Sequence, residues 1–381
     1  MTVLSIDFET ASQVDLRRTG AFKYSLDPST RVLCLAYAFD DEAPSIWRYP
    51  DPIPALLADH VARRRTVQAW NAGFEIVIWN NVLKRQFAAP DLDHRQVKDT
   101  MARAAYWGLP LSLDQASEAA NTGHLKDKEG HALMLRMSKP RAVEDDGTVR
   151  WWHEEDPEKY QRLCDYCVQD VITERAIADT LPQLPDVEQR TWELDFRINQ
   201  RGVGVDLDRI RNLERIWKDT QKVLNKKMSD LTGGVVKTVT ATAAMFPVLR
   251  QHGYPHPDIT RPNVLARLKD PACRGTERQM LELRAAGART SAAKLKAMVD
   301  AACADGRIRG MLQYYGAFRT GRWAGRLVQP QNLPRPELDI DGIEAFCAAV
   351  EHGLSYDQLG VVYDPAAAVA SCLRSCLAAA A

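Results

Sequence analysis

The stretch Val3-Leu4-Ser5-Ile6-Asp7-Phe8-Glu9-Thr10 decides how this chain is read. Apolar side chains lead into two carboxylates, Asp7 and Glu9, with one residue between them. In a β-strand, positions two apart point to the same face, so both acids would project together near the strand's end. Like charges held that close repel unless something positive sits between them. Hard oxygen ligands of this kind suit Mg²⁺ or Mn²⁺. A strand running into an acidic surface turn would carry the same pattern, and the pair alone does not separate the two readings.

Working outward, Arg31–Phe39 is a long apolar run and Ser45–Tyr49 a shorter alternating one. With the first strand they predict three neighbouring strands. Thr66–Trp70 is a fourth strand candidate, and after Asn71-Ala72-Gly73 the apolar spacing becomes helical through Phe74, Val77, Ile78, Val82 and Leu83. Glu75 thus falls in the first turn of a helix that follows a strand, a placement that suits the helix dipole and also the usual position of α/β sites. Asp99 reads as the N-cap of a further helix. From His124 to Asp156 the chain is polar and turn-rich, with Asp146-Gly147 a hairpin or loop tip. Its Lys126, Lys128, Arg136, Lys139 and Arg141 read as a solvated loop or, alternatively, as phosphate contacts. Pro157 opens a long helix on which Tyr166 and Asp170, four apart, share a face.

Pro182 and Pro185 mark the expected end of this α/β block, and the boundary is placed at residue 185. Residues 186–381 are expected to be mostly helical, with helices over Val187–Gln200, Leu207–Leu231, Thr240–Leu249, Asn263–Leu268, Thr276–Ala286 and Thr290–Ala304. From Arg307 the periodicity breaks into a basic, aromatic and glycine-rich stretch, Tyr314 to Arg326, of a kind that tracks a nucleic-acid backbone and stacks on bases.

Bulk properties narrow the class. Residues 1–185 hold 28 acidic against 22 basic side chains and the remainder inverts this, a division that suits metal chemistry in front and phosphate contact behind. No run reaches the roughly 18 apolar residues of a membrane span, and no basic-then-apolar signal pattern opens the chain. Eight scattered cysteines fit a reducing cytoplasm, and Cys164 and Cys167 lack a second pair at zinc spacing, so no metal or redox role is expected of them.

At this point the residues resemble a known family. Asp7-Phe8-Glu9-Thr10, Asn71–Glu75 and Tyr166–Asp170 are similar to the three ordered motifs of DEDD exonucleases of the tyrosine variant, which have a ribonuclease-H-like fold. Lys98–Met101 looks like the segment that follows the second motif in the proofreading domain of bacterial DNA polymerase I. Arg319–Pro336 is similar to a segment of family A DNA polymerases, especially the phage type, in which an arginine and a glutamine–asparagine pair touch primer and template; Arg322, Gln331 and Asn332 match those positions. Ile198–Asp206 and the helices up to Ala304 look like the start of the polymerase region and its thumb.

The resemblance implies a ribonuclease-H-like α/β exonuclease domain over 1–185 and a helical thumb-like region over 186–381. The implied activity is two-metal 3′→5′ removal of nucleotides from DNA, with a single-stranded 3′ end or a primer–template duplex as partner. It implies that Asp7 bridges two ions, Mg²⁺ or Mn²⁺, that Glu9 and Asp170 hold the ion activating water, and that Glu75 supports the other through water. The family has aspartate where Glu75 stands, so Asp99 is the alternative fourth acid. Tyr166 would orient the attacking water, and Phe8 and Phe74 would stack the terminal base or pack in the core. Asn71, Lys294, Arg319, Arg322, Arg326, Gln331 and Asn332 are the expected DNA contacts.

Nothing resembling the palm's metal-binding strand or the fingers helix follows Arg374, so DNA synthesis is not expected from this chain alone. The missing palm and fingers portion and replication proteins are expected partners, no membrane is, and the setting would be the bacterial cytoplasm with a phage or prophage origin. The alternatives are a non-catalytic DNA-binding polymerase remnant and a 3′→5′ exoribonuclease.

Overall fold

The computed structural model describes residues 2–124, 127–287, 293–317 and 319–378. It divides into two compact units, Met1–Gly202 with Ala301–Gln329, and Val203–Asp300 with Pro330–Ala381.

The first unit is built on five strands: β1 (Leu4–Ala11), β2 (Arg31–Phe39), β3 (Ser45–Arg48), β4 (Val67–Ala69) and β5 (Val97–Asp99). They lie in the order β3-β2-β1-β4-β5. The first three are neighbours, as expected, and run antiparallel, whereas β4 is parallel to β1 and β5 to β4. Strand alternation sorts the side chains. Leu4, Ile6 and Phe8 of β1 join Val32, Leu35 and Phe39 of β2 in the main core, with Trp79, Trp192 and Phe196. On the opposite face β2 presents the small side chains Cys34, Ala36 and Ala38, against which Cys164, Cys167 and Val171 of the helix Pro157–Thr180 pack. Small residues in the sheet let that helix lie close, and the face it covers is the one to which Asp7 and Glu9 belong.

Three expectations need correction. The described part of the stretch from His124 to Asp156 is not a solvated loop, although a hairpin does turn at Asp146-Gly147 as expected. It holds the helix Lys128–Met137 and a hairpin of Pro140–Val143 with Val149–Trp151, because Leu133, Met134 and Met137 find an apolar seat with Trp151 and Leu163. Asp99 caps the helix Thr100–Tyr106 as expected, but it also ends a short strand, β5, which its neighbours Val97 and Lys98 were too few to signal. The unit boundary does not fall at 185. The helix Asp186–Arg201 buries Trp192 and Phe196 in the first unit's core, and the hairpin Leu312–Ala317/Arg322–Gly325 also belongs to that unit.

Asn199 ties this hairpin down. Its amide donates to the Leu312 carbonyl at 3.0 Å while its own carbonyl accepts the Leu312 N–H at 2.9 Å. The Tyr314 hydroxyl donates to Glu188 Oε2 at 2.6 Å, and Tyr315 meets Tyr106 edge-on at 5.6 Å.

The second unit is mostly helical. The helix Leu207–Leu231 starts at an Asp206 cap and buries Ile210, Leu213, Ile216, Trp217, Leu224 and Met228 along one stripe. Thr242–Gln251, Arg261–Leu268 and Gly275–Gly287 complete a core with its carboxyl end. Arg267 and Glu277 are joined there by two bonds of 2.7 and 2.9 Å. The helix expected over Thr290–Ala304 is described as Ala293–Ala301. Among the described residues no helix is long and apolar enough to cross a membrane.

Asn199→Ala is expected to leave both Leu312 backbone groups without their partner and to cost about 2–3 kcal/mol. Denaturant unfolding would measure that loss, and amide exchange should speed up selectively over Leu312–Ala317.

Candidate active site

Each acid is placed by a different element. Asp7 and Glu9 lie on one face of β1, in register with Ala36 and Cys34 of β2, and a register shift follows at Glu9/Thr10. Asp7 is half-exposed, while Glu9 keeps 7% of its surface accessible. Beyond β4 the chain turns through Asn71, whose φ of 59° is one that asparagine tolerates better than most residues. The short helix Gly73–Ile78 then carries Glu75 in its first turn, 4% exposed. Tyr166 and Asp170 come from the helix that covers this face of the sheet, Tyr166 buried and Asp170 half-exposed.

The five predicted residues therefore do come together. They line a cavity of about 460 Å³, with Phe74, Leu16 and Lys139 among its other walls. A second cavity of about 540 Å³ shares Asp7, Trp70, Asn71, Tyr166 and Asp170 and continues past His124, His131, Gln313 and Arg326. Asp7, Tyr166 and Asp170 stand where the two share walls.

Burial and crowding dominate the electrostatics. Asp7 is pushed well above the usual carboxylate range, first by burial and then by Asp170. Glu9 is raised by burial and by Asp7, and Glu75 by burial and by Asp7. Burial also raises the Tyr166 phenol, which Asp170 reinforces through charge and a hydrogen bond, so at neutral pH the phenol keeps its proton. The helix Lys128–Met137 places glycine against that ring: a Cβ on Gly130 would lie 2.4 Å from Tyr166 Cδ2.

Glu75 and Asp99, the two candidates for the fourth acid, sit in contrasting surroundings. Asp99 Oδ1 accepts the Ala102 N–H at 3.1 Å as a helix cap, and its Oδ2 accepts the Trp192 indole N–H at 3.1 Å. Both oxygens are committed to the fold. Glu75 Oε2 is buried with no hydrogen-bond partner. A buried carboxylate oxygen without a donor, among acids that raise one another's affinity for protons, fits a divalent cation.

No group of three His, Cys, Asp or Glu side chains forms a metal-holding cluster among the described residues. Magnesium sites commonly use one or two carboxylates completed by water and substrate phosphate, so an open set of acids remains compatible with such an ion.

One further acid escaped the sequence reading, and one cysteine gained a place beside the site. Glu174, one turn past Asp170, is 3% exposed, accepts from Thr100 Oγ1, and is pushed by burial up to about 7. Its i+4 spacing from Asp170 was the available signal. Cys167 offers its thiol to the Asp7 carbonyl and to Asp7 Oδ2, each at 3.3 Å. It belongs to the packing beneath the site.

The predicted DNA contacts divide. Asn71 lines both cavities and Arg326 the second. Arg319 and Arg322 are exposed on the hairpin of the first unit. Lys294, Gln331 and Asn332 belong to the second unit and line neither cavity. Phe8 packs in the core, 6.3 Å from Trp79 edge-on, whereas Phe74 is half-buried at the cavity wall. Of the basic residues between 124 and 156, Lys139 lines the cavity, Arg136 and Arg141 stack on Trp152, and Lys126 lies outside the described residues.

Comparison with known proteins gives the chain its relatives. No family model matches it. It is 36% identical over 349 residues to a DNA polymerase of Bacillus phage SP02, an alignment covering 90% of this chain and 53% of that protein. The chain thus spans about half the length of that relative. Among solved structures, the POL domain of Pol1 from M. smegmatis, in complex with DNA primer-template and dNTP, superposes with a TM-score of 0.51 at 14% identity. That match covers 87% of this chain and 52% of the other, and it speaks for the fold alone. By sequence the chain is related to a DNA polymerase.

The buried acids also set a pH dependence. Glu174 and Asp99 move from ordinary values of 4.5 and 3.8 to about 7 and about 6. A raised carboxyl binds its proton more tightly in the folded chain, so this contribution is fully present below the unfolded values and is lost as pH rises through 6–7. In chelator the thermal midpoint is expected to fall between about pH 5 and pH 8. Added Mn²⁺ should raise it by about 2–4 °C near pH 8 and by little near pH 5.

Proposed function

We propose, from this kinship with a phage DNA polymerase and from the acids gathered beside the two cavities, that the chain is a 3′→5′ exonuclease acting on DNA. The unpartnered, buried oxygen of Glu75 carries the reading most directly, since it completes the set of Asp7, Glu9 and Asp170 where Asp99 is already spent on the fold. In this reading the first unit is a DEDD-type exonuclease domain of the tyrosine variant, ribonuclease-H-like in fold. The second is the thumb-like part of a family A polymerase.

Asp7, with Glu9 and Asp170, would hold one hard divalent cation and share a second with Glu75 through water. Bound there, Mg²⁺ or Mn²⁺ would supply the charge that activates water and stabilises the departing 3′ oxygen. Tyr166 keeps its proton, so it positions the attacking water by hydrogen bonding and does not act as a base. Phe74, Leu16 and the rest of the first cavity would take the terminal nucleotide, with Asn71 at its entrance. The setting that follows is replication of phage or prophage DNA in the bacterial cytoplasm.

One observation favours a non-catalytic DNA-binding role instead, namely that the acids form no closed metal cluster among the described residues. Digestion of a 5′-labelled single strand with Mg²⁺ or Mn²⁺ separates the readings, and an RNA strand run beside it distinguishes exoribonuclease activity. A ladder shortening from the 3′ end is expected, slowed about a thousandfold or more by Asp7→Ala or Asp170→Ala. Tyr166→Phe should cost about tenfold to a hundredfold, with little change in KM. No shortening with either cation would exclude the exonuclease.

A further inference from the structure

The hairpin Leu312–Ala317/Arg322–Gly325 comes from the segment whose resemblance points to primer and template contacts in a polymerase. In this fold it is part of the first unit, tied by Asn199 at its start. Its far end is seated as well. The helix Leu16–Leu26 kinks at Gly20, where φ is +74°, and Leu327 fills the notch: a Cβ on Gly20 would meet Leu327 Cδ1 at 2.8 Å. The Arg326 N–H donates to the Met311 carbonyl at 2.8 Å. Both ends of the segment that carries Arg326 are thus held against the unit that holds the carboxylates.

Held in this way, Gln313 and Arg326 form part of the wall of the second cavity, which also touches Asp7 and Asp170. Arg326 is exposed at that wall and makes no ion pair with a carboxylate among the described residues. Structural arginines nearby are paired, as Arg309 is with Asp305 at 2.6 Å. An accessible guanidinium without a carboxylate partner, on the wall of a cavity of mixed polar and apolar lining, suits an incoming anion, and its planar donor fork matches phosphate. The cavity volume of about 540 Å³ lies within the range of ligand sites, roughly 300–1,000 Å³.

We infer that Arg326, with Gln313 beside it, grips a backbone phosphate of single-stranded DNA on the 5′ side of the bond to be cut, and so feeds the strand to the carboxylates. The inference rests on the exonuclease reading. It assigns this end of the polymerase-like segment to the nuclease cavity. Arg326 is a positioning residue for the strand, not a group at the reacting atoms.

The test uses the full chain and a 5′-fluorescein oligothymidine of about 12 nucleotides. Binding is read by anisotropy with Ca²⁺ in place of Mg²⁺, and shortening is followed separately with Mn²⁺. Arg326→Ala is expected to weaken binding about tenfold and to reduce the dependence of log Kd on log salt by about 0.7, one single-strand phosphate contact. KM should rise by a similar factor while kcat stays within about threefold. Arg326→Lys, which keeps the charge, should recover most of the loss. Arg65→Ala, an exposed charge removed away from both cavities, should change binding less than about twofold.

Equal affinity and salt slope in Arg326→Ala and Arg65→Ala would overturn the inference and leave the exonuclease standing. So would a loss that Arg326→Lys does not rescue and that comes with a lowered thermal midpoint. If the wild-type chain binds the strand without shortening it, the exonuclease reading fails, and the anisotropy series still decides whether Arg326 holds phosphate. Absence of wild-type binding overturns both.

Discussion

Asp7 and Glu9 on the sheet face that a long helix covers, and Glu75 on the short helix after β4, are held close together, and burial first and nearby carboxylates second make all three harder to ionise. Removing carboxylates from water is costly, and grouping them multiplies the cost unless positive charge compensates. The sheet's other face is built as an ordinary apolar core of Leu4, Ile6, Phe8, Val32 and Leu35. The crowding is therefore confined to one side, where Cys34, Ala36 and Ala38 are small enough to let the helix Pro157–Thr180 bring Tyr166 and Asp170 down onto it. The packing that stabilises the first unit is also what forces its acids together.

The two acids at the ends of the parallel strands show how neighbours divide labour. Asp99 spends its oxygens capping a helix and holding the Trp192 indole, which fastens the helix Asp186–Arg201 to the sheet. Glu75 is left with a buried oxygen that nothing satisfies. Exchanging these roles would require a donor beside Glu75 and its removal from Asp99, so the choice between them belongs to the surroundings. Glu174 and Cys167 extend the same logic outward, one as a carboxyl whose raised pKa favours the protonated form, the other as a thiol beneath Asp7.

The chain leaves the first unit at Gly202 and returns for Ala301–Gln329. That return is specific. Asn199 offers a matched donor and acceptor to Leu312, Tyr314 reaches Glu188, and Leu327 occupies the bend at Gly20. The returning segment thus furnishes, through Gln313 and Arg326, part of the wall of a cavity that also touches Asp7 and Asp170. Of the three residues that the resemblance grouped together, Arg322 belongs to the first unit and Gln331 and Asn332 to the second.

By itself, the order of residues determined a good deal. Alternation and apolar runs set β1, β2 and β3 as neighbouring strands, and helical spacing set the elements that carry Glu75, Tyr166 and Asp170. Acids two apart on a strand, or Tyr166 and Asp170 four apart on a helix, are local geometry and so legible without a fold. Kinship with a phage DNA polymerase fits the resemblance carried by those motifs at its coarser level. Tertiary structure decided what local pattern cannot encode. It made a helix of Lys128–Met137 because Met137 and Trp151 share a buried seat, and it returned the hairpin at 312–325 to the first unit because Asn199 waits there. It also committed Asp99 to a cap and an indole while leaving a Glu75 oxygen unpaired, since desolvation and hydrogen-bond supply arise only when distant segments pack.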